Sequence, residues 1–129
     1  MRATLRSPTE RTTIAAGTTV KANTAVTGTA VACSNFSKFA LFLSVNSTGV
    51  STQTLDFYVE FSPDGGTTWY RLDQAPFTDL SFEDTLTATV IYRCYHGEVL
   101  APHVRVTHKG ANCTGSNYFT IEAVLLFYN

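Results

Sequence analysis

The clearest pattern along the chain is an alternation with period two. Leu55, Phe57, Val59 and Phe61 alternate with Asp56, Tyr58, Glu60 and Ser62, which predicts a strand with one buried face. Residues 36–45 form a nearly continuous apolar and aromatic run, which predicts a strand buried on both faces. Residues 118–128 place Phe119, Ile121, Ala123, Leu125 and Phe127 on one face. The opposite face (Tyr118, Val124, Leu126, Tyr128) is also largely apolar, so this last strand is expected to be central or covered by a neighbour. Residues 86–95, rich in Thr, Val, Ile and Tyr, read as another strand. Residues 103–107, with Val104 and Val106 inward, read as a short one after Pro102. Residues 67–72 read as the returning partner of 55–62, residues 73–82 as a loop around Pro76, and residues 109–117 as a glycine-containing turn region. No window shows a helical period. The pattern predicts an all-β, single-domain antiparallel β-sandwich of about seven to nine strands, jelly-roll or Ig-like.

The first 32 residues read differently. They hold 7 Ala and 9 Thr, and their apolar residues (Leu5, Ile14, Val20, Val26, Val31) are sparse and aperiodic. This predicts an extended Ala/Thr-rich arm over 1–32, with short strands near 12–15 and 26–32, joined to a sandwich body over 33–129. Charge sharpens the division. Residues 1–30 carry Arg2, Arg6, Arg11 and Lys21 against Glu10 alone, a net of +3. The remainder carries five basic and nine acidic residues, a net of −4. The arm is expected to be loose or laid on another surface.

The balance of 44% apolar residues against 15% charged suffices for a core, which excludes wholesale disorder. A formal net charge of −1 argues against a nucleic-acid partner. No apolar run approaches the roughly 18 residues of a membrane span, and no basic-then-apolar signal opens the chain, so no membrane partner and synthesis in a cytoplasm are expected. In that compartment Cys33, Cys94 and Cys113 are expected to be reduced and mostly buried, and the N-x-S/T triplets at Asn35, Asn46 and Asn112 coincidental.

Catalytic chemistry is not evident. There is no phosphate-cradling glycine loop, no nucleophile elbow and no paired zinc-type cysteines. His103, His108 and Cys113, with Cys94 and His96 near, fit no familiar metal spacing, and two histidines five apart on a strand face opposite ways. Asp79, Glu83 and Asp84 read as a solvated acidic turn. The expectation is no enzyme, no metal and no cofactor.

One local motif is sharp. Ser62-Pro63-Asp64-Gly65-Gly66-Thr67-Thr68-Trp69 matches the Asp-box pattern S-x-D-x-G-x-T-W at every specified position. Its physical content is a hairpin lock of Ser62, Asp64, Gly66, Thr68 and Trp69: Asp64 ties turn amides, Gly66 supplies a permissive backbone, and Trp69 folds its ring over the hairpin. It occurs once, in a chain too short for several propeller blades.

The order of signals carries a resemblance. An alternating strand (55–61) runs into S-x-D-G-x-T-W, then comes Ala101-Pro102-His103-Val104-Arg105-Val106, then a final aromatic strand. Over residues 36–127 this resembles small β-sandwich virion proteins of tailed bacteriophages, with Ala101-Pro102-His103 in place of the family's Arg-Tyr lead-in and Cys113 in the last turn. The resemblance implies a structural protein of the phage head surface, a capsid decoration (cement) protein binding the major capsid protein or other virion subunits. It also implies a homo-oligomer, a trimer among the options. Arg2, Arg6, Arg11 and Lys21 of the arm, and Val124, Leu126 and Tyr128 of the last strand, are the expected capsid or subunit contacts. A tail or head–tail junction component is the alternative within the same class. The same motif order also resembles galactose-binding-like carbohydrate modules, where Tyr70, Tyr95 or Phe77 would have to stack on the sugar.

Overall fold

The alternating runs become ten strands in two antiparallel sheets, seen in a computed structural model that describes residues 10–49, 52–83 and 90–129. The strands are β1 (Glu10–Val20), β2 (Ala25–Thr27), β3 (Val31–Ala32), β4 (Lys38–Thr48), β5 (Thr54–Ser62), β6 (Tyr70–Arg71), β7 (Leu80–Glu83), β8 (Ile91–Glu98), β9 (His103–Ala111) and β10 (Tyr118–Tyr128). Sheet A has the order β1-β10-β4-β8. Sheet B has the order β2-β9-β5-β6, with β3 also on β9 and β7 also on β5.

The winding identifies the sandwich. With β2/β3 and β6/β7 each counted as one position, the pairs β1:β10, β2/β3:β9, β4:β8 and β5:β6/β7 are nested, like one long hairpin folded onto itself and rolled. The contacts β10:β4 and β9:β5 close the roll. This is a jelly roll, one of the two sandwich classes the alternation allowed.

Burial follows the period of two. Phe39, Leu41, Leu43 and Val45 of β4 and Phe119, Ile121, Ala123, Leu125 and Phe127 of β10 meet Leu55, Phe57, Val59 and Phe61 of β5 and Val104 and Val106 of β9 in one core. The pair Phe39–Phe61, 5.8 Å between centroids, ties the two layers together, and Phe57–Phe82, at 5.7 Å, joins β5 to β7 within sheet B, both edge to face. The β4–β5 connection is held by Gln53, fully buried, whose Nε2 donates to the carbonyls of Thr48 (3.2 Å) and Gly49 (3.1 Å). Gly49 has φ +77°, and a Cβ there would lie 2.3 Å from both Asn117 Oδ1 and the Ser116 carbonyl, so the corner admits glycine alone.

Several expectations need correction. From Glu10 onward the Ala/Thr-rich segment is not an arm apart from the body. β1 pairs with β10 from Glu10↔Phe127 to Val20↔Phe119, and β2 and β3 pair with β9. Its small and β-branched residues make edge strands of this chain's own sheets, with Val20 in the core. Residues 1–9 lie outside the described residues. Within the expected loop 73–82, Leu80 starts β7 and turns Leu80 and Phe82 into the core. The strand expected at 86–95 is observed at Ile91–Glu98, residues 84–89 lying outside the described set, and β9 continues to Ala111. β4 is buried on its inner face, but its outer face carries Phe42, 43% exposed.

Candidate interaction face

The two outer faces of the sandwich differ in chemistry. On sheet B the outward residues of β5 and β9 are polar and engage one another. Glu60 accepts from Arg105 Nε at 3.1 Å and from the Thr107 hydroxyl at 2.6 Å. The Arg105 guanidinium lies 4.3 Å from the centroid of the Trp69 ring, and Arg71 lies 3.6 Å from that of Tyr58. On this face Glu60 and Arg105 pair with each other, and two guanidiniums lie over rings.

The hairpin lock stands at the end of that face. Asp64 Oδ1 accepts from the amides of Thr67 (3.2 Å) and Thr68 (2.8 Å) and from the Ser62 hydroxyl (2.8 Å), while the Gly66 amide donates to Ser62 Oγ at 2.8 Å. Trp69 Nε1 donates to the Gly66 carbonyl at 3.1 Å. Gly65 and Gly66 take φ +76° and +94°, a left-handed backbone that the turn requires. The Thr68 amide, then the Ser62 and Thr68 hydroxyls, hold the Asp64 carboxyl down at about 2 against an ordinary 3.8. All five residues expected in the lock, Ser62, Asp64, Gly66, Thr68 and Trp69, take part in it.

Sheet A presents the opposite chemistry. Register places Leu126 between Arg11 and Ala40, Phe42 between Val124 and Cys94, and Ser44 between Glu122 and Tyr92. Side chains opposed across antiparallel strands point to the same face, about 4.5–5.5 Å apart, so these rows build one surface. Phe42 and the 73%-exposed Tyr92 stand over a groove of about 470 Å³ floored by Val124 and Leu126, with Arg11 and Glu122 at its margins. No other layer of the described chain covers it. An apolar groove with two exposed aromatic rings beside it makes this face the candidate contact surface.

Of the expected contacts, Arg11, Val124 and Leu126 meet in this groove, and Tyr128 lies on the same face one row further along. Lys21 does not join them. Its Nζ lies 4.6 Å from the centroid of the Tyr118 ring. Arg2 and Arg6 lie outside the described residues. The face also contains Phe42, Tyr92 and Cys94, which sequence reasoning missed. Phe42 shares the outward parity of β4 with Ala40 and Ser44, and that parity was the available signal. Tyr92 and Cys94 could be placed only once β8 was paired with β4.

The remaining chemistry-bearing residues are dispersed. β9 turns His108 inward, opposite Phe57, and His103 to the other face. Among the described residues no three His, Cys, Asp or Glu side chains converge as metal ligands do. Cys33 and Cys113 are buried, and burial pushes the Cys33 thiol up to about 11, whereas Cys94 is exposed, unlike the buried default expected of it. Of the residues considered for sugar stacking, Phe77 is in the core, Tyr95 is half-buried against it, and Tyr70 is exposed. Compared with known proteins, the chain matches no family model and no curated sequence.

Proposed function

We propose that the chain is a structural protein of a tailed-phage particle, a head decoration protein that docks on the assembled capsid lattice through the outer face of sheet A. The observation that carries this reading is the asymmetry between the two faces: on one, Glu60 pairs with Arg105, and the other exposes Phe42 and Tyr92 beside a groove lined by Val124 and Leu126. The motif order shared with small virion sandwiches supports the same assignment. In this reading the chain is not an enzyme. A rigid jelly roll supplies the contact surface, Arg11 and Glu122 orient it, and many weakly bound copies reinforce the shell together.

Quantitative mass spectrometry of purified particles tests the reading. Hundreds of copies per particle, on the order of the capsid-protein number, is the expected result. A count on the order of a dozen would move the chain to the tail or head–tail junction. Absence from the particle would discard the virion reading. A glycan array would then take its place, because Tyr70, 61% exposed beside Asp73 and Gln74, offers a ring and polar groups of the kind sugars use.

A further inference from the structure

Each sheet has two edges, and the fold blunts three of the four. β1 is interrupted by register shifts between Thr13 and Ala15 and between Ala15 and Thr18. One edge of sheet B is made of β2 and β3, three and two residues long, and the other of β6 and β7, two and four residues long. Shortness and bulges are the devices that keep one sheet from adding to another. β8 has neither. It runs eight residues in unbroken register with β4, contains no proline or lysine, and exposes Tyr92, Arg93, Cys94, His96 and Glu98. Among the described residues it pairs with β4 alone.

We infer that β8 is the seam of a two-fold homodimer, in which it pairs antiparallel with β8 of a second copy about an axis at Cys94. Two four-stranded sheets thereby become one of eight. Antiparallel strands oppose residues that point to the same face, so the axis passes through a residue position rather than between two. An axis at Cys94 opposes Tyr92 to the second copy's His96, and Arg93 to the second copy's Tyr95. Each guanidinium then has a ring beside it, and no like charges face one another. One position earlier, two guanidiniums would stand opposed. One position later, Arg93 would face Gly97 and have no ring. The second copy is the occupant because β8 is complementary to itself in this register. The outer row also continues unbroken, as Phe42–Cys94 against Cys94–Phe42, and joins the two apolar faces on one side of the dimer.

The inference does not depend on the particle reading, and the purified full-length chain tests it. In antiparallel pairing the two Cys94 Cα atoms lie about 4.5–5.5 Å apart, within the roughly 4.4–6.8 Å a disulfide spans. Light scattering across a concentration series should show a monomer–dimer equilibrium. Oxidation with diamide should trap it as a Cys94–Cys94 disulfide, with Cys33 and Cys113 still reduced. Cys94→Ser should leave the reduced dimer intact, while Cys94→Glu, which sets two carboxylates face to face, should weaken it about tenfold or more. A chain that stays monomeric at its highest soluble concentration overturns the inference. So does an oligomer that Cys94→Glu leaves unchanged or that diamide links elsewhere. Should Cys94→Glu fail to fold, amide hydrogen exchange of the wild type decides. Protection of residues 91–98 that rises with concentration supports the seam, and concentration-independent exchange rejects it.

Discussion

Asp64 stands in open water, yet its carboxyl titrates near 2 because two backbone amides and two hydroxyls converge on it. A folded-state value below the unfolded one means that the charged form supports the fold. That support is full above about pH 4 and is lost as pH falls through 2. Asp64→Asn should therefore lower Tm by a few degrees at neutral pH, and the gap to wild type should close in acid melts between pH 4 and 2. His108 works in a different window. It is buried, its Nδ1 has no partner, and burial holds its pKa below 6.5. The unfolded chain takes up the proton more readily, so stability falls as pH drops below about 6.5. Urea melts of His108→Leu should lose that slope while keeping the Asp64 one. Trp69→Ala removes a ring under Arg105 and a bond to Gly66, and should cost about 2–3 kcal/mol by denaturant melt. The lock was legible in the sequence because its parts lie within eight residues. Arg105, which covers Trp69, was not, because only the pairing of β5 with β9 brings it there.

At the scale of elements, pattern revealed what is local and missed what pairing decides. β10 has the bounds its alternation gave: it lies between β1 and β4, with its inner apolar face in the core and its outer one in the open groove. β5 is equally plain. β1 was read as part of an arm because threonine and alanine carry little hydrophobic signal. An edge strand needs little, since backbone bonds to β10 supply most of its hold. β7 was hidden for a similar reason, four residues being too few for a period to show. The corrected placement of β1 changes what truncation does. Removing residues 1–9 leaves every described strand in place, so a loss of particle binding with an unchanged thermal melt would report on the segment that carries Arg2 and Arg6. Removing residues 1–30 deletes β1 and β2, uncovers the β10 edge and takes Val20 from the core. That chain should lose its cooperative melt or aggregate through the new edge, as circular dichroism and light scattering would show.

For the molecule as a whole, the proposed reading has the jelly roll separate the work of standing up from the work of binding. The core is assembled from the inward positions of both sheets, and sheet B spends its outward charges on Arg105, Glu60 and the rings of Trp69 and Tyr58. Of the outward positions of sheet A, Tyr92 is largely in water and Phe42 is about half so, and exchanging them leaves the inward core untouched. Phe42→Glu with Tyr92→Glu should thus lower stability by about 1–2 kcal/mol in denaturant melts, with the cooperative transition kept. Both sit in rows that flank the groove, and two carboxylates there would have to be desolvated against any apolar capsid surface, at a cost far above the lost contact area alone. Copies bound per particle, measured with the double variant in place of wild type, should fall at least tenfold. A paired substitution on the outer face of sheet B, Asp56→Ala with Lys109→Ala, should leave occupancy unchanged. If the sheet A variant still fills the lattice and the sheet B variant does not, the two faces have been assigned the wrong way round, and the charges of sheet B would be the ones that open to meet the shell.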